Sequence, residues 1–398
     1  AQAPDVAAVG NLWSGGRLHE PSMTSEVYLT AIPVFIIAAL AMPAGVGGGL
    51  LYVPLLVFTG VVGEARDAAA LSQPIVSGAV TAANLFNLVV QVRNPSKDLV
   101  DPRLVLATVP VCMAGASLGV LVNQALPDAA ILILLLLVVL TSLRKLLYQG
   151  VAMWRQETRA RSATISSPTA DPEADKSPGS PSADGQEPLL FMRWTTWLSV
   201  AKLLIVWAIV MASLLLRGGG GASLVNITTC SLEYWLITAV AMSVLFMISF
   251  KMRCEEVYIG LSFFVGILSA TVGIGGGLVL NPMLISAGVD PRKATASVSV
   301  MIFLVCSSAT VGFLVAGVVP FEPMVVLSLA AFLGSLSGKA IVGTVVERTG
   351  RTSVLVFLLA SFLAICVCAL IVQGSMEAAR QISAGKNDFI KFKDPCGL

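Results

Sequence analysis

Histidine is nearly missing from this chain: His19 is the single one in 398 residues. That excludes imidazole-built metal sites and Ser-His or Cys-His nucleophilic chemistry from the apolar body of the protein. Charge is scarce as well, 12% of residues against about 25% in an ordinary soluble domain, so most of the chain has no water-facing surface to cover. The 25 Lys and Arg nearly balance the 23 Asp and Glu, which leaves no charge field for nucleic acid. The seven cysteines are scattered, mostly in apolar runs where Cys acts as a small hydrophobe, and form no disulfide framework or zinc spacing. No glycine-rich string is followed by GK[ST], no GxSG has a His partner, and Asp67, Asp101, Asp128 and Asp290 all sit at the ends of apolar runs. Nucleotide-driven transport and intramembrane proteolysis therefore have no residues to run on, and no catalytic residue, metal ligand or cofactor is expected.

What the chain has in abundance is grease: 56% hydrophobic residues and a mean hydropathy of +0.87. This predicts an all-α polytopic membrane protein in a lipid bilayer. Apolar blocks cover 28–62, 68–92, 102–122, 128–148, 195–216, 232–250, 257–288, 294–319, 323–346 and 352–372, and glycines break the first and seventh. Counting each broken block as a pair of short segments gives about 10–12 membrane segments. A polar tail covers 1–27; it begins AQAPDV without Met and reads as the mature end left by a cleaved signal peptide. Residues 156–193 include TISSPTADPEADKSPGSPSADGQEP, too polar to bury a core, and are expected to be a disordered cytoplasmic loop with Ser-Pro pairs at Ser167, Ser177 and Ser180. Connecting membrane helices fill 194–256, and a C-terminal tail fills 374–398.

The chain is also internally repeated. Gly47 and Pro54 align with Gly275 and Pro282 at one offset; RDAAALSQ at Arg66 then pairs with RKATASVS at Arg292 after a slip of two residues, and GASLG (Gly115 to Gly119) matches GSLSG (Gly334 to Gly338). Ordered landmarks of this kind predict a duplication, 28–155 and 257–373, and duplicated membrane folds are common among transporters. Arg93, Lys97, Arg103, Arg144, Lys145, Lys251 and Arg253 flank loops that the positive-inside rule places in the cytoplasm. The polar tail and the Asn226-Ile-Thr228 glycosylation pattern then fall on the luminal or extracellular side. With paired segments in each broken block, Arg292-Lys293 and Glu347-Arg348-Arg351 are cytoplasmic too, and the two repeats are inverted.

The glycine clusters carry the functional argument. Broken backbone at membrane depth cannot face lipid, because each unpaired N–H or C=O costs several kcal/mol. Gly45, Gly47, Gly48 and Gly49 permit a tight reversal, and the helix restarting at Leu50 aims its N-terminal amides and partial positive charge at one spot, which suits an anion. Gly273, Gly275, Gly276 and Gly277 reproduce the arrangement. Hydrogen-bonding side chains that could complete a pocket are Ser72, Gln73 and Ser77 in the first repeat and Asn281, Thr295, Ser297 and Ser299 in the second, with Asn84, Asn87 and Lys339 nearby in sequence pattern. Gly115/Gly119 and Gly334/Gly338 are expected to serve close helix packing instead.

GVGGGLLYVPLL and GIGGGLVLNPMLISAGVDPRKATAS resemble the paired signatures of the sulfite exporter TauE/SafE family of membrane transporters. NLVVQVRNPSKDLVDPRLVLATVPVCMAGASLGVLVN and LLYQGVAMWRQET resemble its eukaryotic, plant-like branch; the likeness spans 32–158 and 257–373 and is faint over 195–250. It implies an integral multi-pass transporter of small sulfur-containing anions, sulfite or organosulfonates, working by alternating access with or without a coupling proton or cation. ATASVS departs from the AxATS form of many members at Ser297. Expected partners are thus the anion, the coupling ion and the bilayer, with a homo-oligomer or larger membrane complex open. The alternative is a transport-inactive accessory subunit that kept the fold. The membrane belongs to the secretory pathway, the cell surface or an organelle.

Overall fold

The computed structural model describes residues 25–43, 47–93, 100, 102–166, 189–218, 227, 230–251, 256–286, 291–349 and 353–383. Gly45, Asn226 and the N-terminal tail up to residue 24 lie outside them. Twelve helices and no strand are found among the described residues: α1 (Ser25–Ala41), α2 (Gly49–Phe58), α3 (Ala65–Arg93), α4 (Pro102–Ala125), α5 (Asp128–Ser166), α6 (Leu189–Arg217), α7 (Leu232–Lys251), α8 (Glu256–Val272), α9 (Gly277–Ser286), α10 (Pro291–Val315), α11 (Phe321–Thr349) and α12 (Ser353–Ser383). Seven of these are long and apolar enough to cross a membrane, and the protein is an integral multi-pass membrane protein.

Each glycine-broken block is two helices, of 17 and 10 residues in both cases. A ten-residue helix rises about 15 Å, half the roughly 30 Å hydrocarbon core, so α2 and α9 start at depth rather than span.

The helices of the two halves interlock reciprocally. In one direction α4 packs on α8: a Cβ added at Gly115 would collide with Phe263 O, and one at Gly119 with Ile267 O. In the other, α11 packs on α1, with Gly334 against Phe35 O and Gly338 against Ala39 O. Phe35 and Phe263, like Ala39 and Ile267, are related by the same offset that takes Gly47 to Gly275. Contacts rise together along both chains in each pair, so α4 runs parallel to α8 and α1 parallel to α11. This exchange of first and fourth helices is what two repeats about a pseudo-two-fold axis require, and it is consistent with the duplication read from the sequence. The glycine pairs read as packing positions are packing positions: without a Cβ, backbone meets backbone.

Three boundaries differ from those read from composition. Helix α5 continues through 156–166, and α6 begins at Leu189, so helix covers both ends of the segment assigned to a loop. The physical reason at the first end is tertiary: Glu157 accepts the Ser353 backbone N–H at 3.1 Å and the Ser353 hydroxyl, capping the start of α12. Composition cannot register such a contact. Helix α12 likewise runs on to Ser383, into the range assigned to the C-terminal tail. Cys230, with φ +64°, is disulfide-bonded, which the scattered cysteine spacing did not indicate.

Candidate functional site

The two glycine turns meet. Gly49 opens α2 directly on the other turn: a Cβ there would lie 2.6 Å from Ile274 O and 2.7 Å from Gly273 O. Gly47, Gly48, Gly273, Gly275 and Gly276 all have φ between +70° and +80°, the left-handed region that side chains with a Cβ enter at a cost. Here the glycines are required by conformation and by space together. The contacts are again reciprocal, for Gly47 faces Ile302 on α10 while Gly275 faces Val76 on α3.

The caps match as well. Gly48 precedes α2 in the left-handed conformation with no side-chain cap, and its carbonyl receives the N–H groups of Leu51 and Tyr52. Gly276 does the same for Val279 and Leu280. Both turns therefore leave first-turn helix amides without an intrahelical acceptor in one buried centre, and the helix dipoles add partial positive charge there. Gly47 to Gly49 and Gly273 to Gly277 are all buried in the present conformation.

Of the side chains picked out in the sequence, Ser72 and Gln73 reach this centre. The Ser72 hydroxyl lies 2.7 Å from Ala69 O and 2.9 Å from Gly273 O, so its proton is committed to backbone carbonyls and ties α3 to the second turn. Gln73 donates from Nε2 to Ser269 O at 2.6 Å, leaving its buried Oε1 without a donor. Asn281 and Thr295 pair with each other at 3.4 Å between α9 and α10. Ser297 is fully buried on α10. Ser299 belongs elsewhere, in a polar chain crossing from α3 to α11. Its hydroxyl lies 2.7 Å from Asn84 Oδ1 and also 2.7 Å from Ala296 O, Asn87 Nδ2 approaches it at 3.5 Å, and Lys339 Nζ donates to Asn87 Oδ1 at 3.0 Å.

Four residues at or beside the centre were missed. Tyr52 is fully buried with an unpaired hydroxyl against Gly48, and Ser269, beside Gly276, is buried with its hydroxyl unpaired. Asn123 donates to Thr271 O at 2.8 Å, and Thr271 donates to Gly119 O at 3.2 Å. Tyr52 was legible, since it is part of the glycine string itself, four residues past the cap. Asn123 and Thr271 were not, because their pairing depends on α4 lying against α8. Two hydroxyl donors and two sets of amide ends can hydrogen-bond the oxygens of a small anion.

These features define a class: a multi-pass membrane transporter with paired broken helices. The family model described as "Sulfite exporter TauE/SafE" matches residues 30–252 and 190–365, and the chain belongs to that family. It is 26% identical to Sulfite exporter TauE/SafE family protein 5 of Arabidopsis thaliana, over 95% of this chain and 89% of the relative. Identity to family protein 1 of the same plant is 25%, over 92% and 88%. No solved structure matches the chain.

Proposed function

We propose that the protein is a secondary transporter of small sulfur oxyanions, sulfite foremost and organosulfonates next, and that the anion is held between the two glycine turns during alternating access. The observation that supports this reading is the meeting of two uncapped helix starts, α2 and α9, in one buried centre between the repeats. An oxyanion held by amides and hydroxyls keeps its hydrogen bonds when dehydrated, and without a buried lysine or arginine to trap it, it can leave again. Two turns contributed by inverted repeats can part on one side at a time, which exposes the same atoms alternately to either face. The unpaired acceptors Gln73 Oε1 and Asn123 Oδ1 offer a coupling cation or a proton-bearing group a place to bind.

The test is uptake of labelled sulfite into proteoliposomes, with sulfate, taurine and sulfoacetate as competitors, for wild type, Tyr52→Phe and the double variant Gly48→Val with Gly276→Val. Saturable uptake that the double variant abolishes and Tyr52→Phe weakens is the expected result. Folded, reconstituted wild type that takes up none of these anions would overturn the reading and bring the accessory-subunit alternative forward. Uptake indifferent to all three substitutions would move the site away from the turns.

A further inference from the structure

A buried cation stands away from the glycine turns, on the helix that connects the two repeats. Arg217 ends α6 and is 5% exposed, buried among α4, α6 and α7. A guanidinium carries five N–H donors. This one makes a single hydrogen bond among the described residues, from Nη1 to Thr238 Oγ1 at 3.3 Å, and its Nε is buried and unpaired. Its carbon lies 5.0 Å from the centre of the Tyr234 ring. No described Asp or Glu comes within ion-pair distance of it. An arginine held this deep without a carboxylate is costly, since breaking or omitting one half of a buried ion pair leaves an uncompensated charge, and an anion bound beside it would compensate that charge.

Arg217 lines a narrow cleft whose enclosed part has room for about one water and whose remainder is open to the exterior, together with Ser117, Ser213 and Thr238 and an apolar wall that includes Leu214 and Leu245. The Ser117 and Ser213 hydroxyls donate to the carbonyls of Met113 and Val210 in their own helices, and Thr238 donates to Tyr234 O at 2.9 Å. Tyr234 and Thr238 sit in the first two turns of α7, whose other end is Lys251. Arg217 and Thr238 thus lie toward the bundle end remote from Lys251, the end that charge distribution assigns to the lumen or exterior.

Repeat symmetry sharpens the assignment. The residue equivalent to Lys339 in the first repeat is Val120, which packs by Gly312 alongside Leu214, one helical turn before Arg217. The connecting helix α6 therefore delivers a cation close to where the duplicated half lacks one.

We propose that the cleft between α4, α6 and α7 binds one small inorganic oxyanion of the sulfite class, gripped by the Arg217 guanidinium with the Thr238 hydroxyl beside it, as a site separate from the glycine turns. The proposal takes its ligand class from the function proposed above and its location from Arg217 alone. Arginine matches the planar oxygens of such anions with two parallel N–H donors, a geometry that an ammonium group does not reproduce.

Equilibrium binding of labelled sulfite to the purified full chain tests it, with melting temperature recorded for every variant. Wild type should show two classes of site. Arg217→Gln should remove one class, weakening it about tenfold or more; Arg217→Lys should leave that class weaker than wild type, and Thr238→Val should lower its affinity about threefold to tenfold. Ser72→Ala should leave it unchanged. If Arg217→Gln does not fold, Arg217→Lys and Thr238→Val carry the test. A folded Arg217→Gln protein with wild-type stoichiometry and affinity, or wild-type binding in both of the milder variants, would overturn the proposal while leaving the glycine centre standing. Loss of all binding in Arg217→Gln would uphold the cleft and count against the turns. No binding to folded wild type would overturn both.

Discussion

The two halves of this transporter are alike where backbone touches backbone and unlike where side chains do chemistry. Gly115 and Gly119 press on Phe263 and Ile267 as Gly334 and Gly338 press on Phe35 and Ala39. The polar equivalents diverge: Tyr52 over Gly48 faces a counterpart Leu280 over Gly276, and the Asn84–Ser299–Asn87–Lys339 chain has Thr310, Gln73, Phe313 and Val120 in the mirrored positions. Packing geometry must be shared if two related halves are to meet across one axis, whereas the side chains away from those contacts carry no such demand. Two of the four counterparts, Phe313 and Val120, are apolar, so the polar cross-link from α3 to α11 is not reproduced in the other half.

Breaking the shared geometry should have the largest effect. Gly119→Val and Gly338→Val each drive a branched side chain into a carbonyl oxygen on a partner helix, and a helix backbone cannot move aside as a flexible side chain can. Each should cost about 3 kcal/mol or more. Thermal unfolding in detergent should show both variants lowered by similar amounts. A large loss in one with tolerance in the other would break the symmetry where it is strongest.

The polar chain tests the divergent side. Asn87→Leu leaves the Lys339 ammonium without the acceptor it now has at 3.0 Å, within 5.9 Å of the Phe86 ring, and should destabilise by about 3 kcal/mol. Adding Lys339→Met to the same protein should restore most of the loss, because the charge that needed a partner is gone. The counterparts of Asn87 and Lys339, Phe313 and Val120, are buried and apolar with no charge to satisfy, so Phe313→Leu should cost only about 1 kcal/mol. Denaturation midpoints of the single and double variants read this directly; no rescue by Lys339→Met would mean that Asn87 acts through something other than the lysine.

What the sequence disclosed follows the same division. The helices, their membrane setting, the broken blocks and the glycine turns were legible because each is written locally, in hydropathy runs and in residues with no Cβ. The repeat offset even located the packing glycines. The site was legible only in part. Ser72 and Gln73 stand close after the first turn in sequence, yet the partners they reach, Gly273 and Ser269, belong to the other repeat, and Ser299 is drawn off by Asn84 and Asn87 on α3. Ser269 joins from α8, and Asn123 meets Thr271 across the α4–α8 contact. Those pairings exist only after the halves interlock, and no spacing within one half encodes them. Arg217 was hidden for another reason: at the end of an apolar run it looks like any interfacial cation, until the packing of α4, α6 and α7 around it shows that it is buried.

The turns themselves allow a finer comparison. Gly48→Ala and Gly276→Ala both force a Cβ into left-handed backbone, φ +70° and +72°, at about 1–2 kcal/mol each. Gly48 carries an added burden, for its Cβ would lie 2.9 Å from the Tyr52 hydroxyl, whereas at Gly276 the nearest atom is Val265 Cγ1 at 3.3 Å. Gly48→Ala should therefore melt lower than Gly276→Ala, and Tyr52→Leu, which copies the second repeat, should narrow the gap.

The smallest expected change in stability comes from Ser72→Ala, and it is the most informative about mechanism. The hydroxyl ties α3 to Gly273 O with one shared proton, so its loss removes about 1 kcal/mol. The same bond must break if the second turn is to move away from α3 when the site opens. A variant that is marginally less stable yet exchanges sulfite faster in counterflow would identify Ser72 as a latch on the moving turn. Slower exchange at unchanged stability would instead make it a ligand, its hydroxyl turning its hydrogen bond from the carbonyl to the anion once the anion binds.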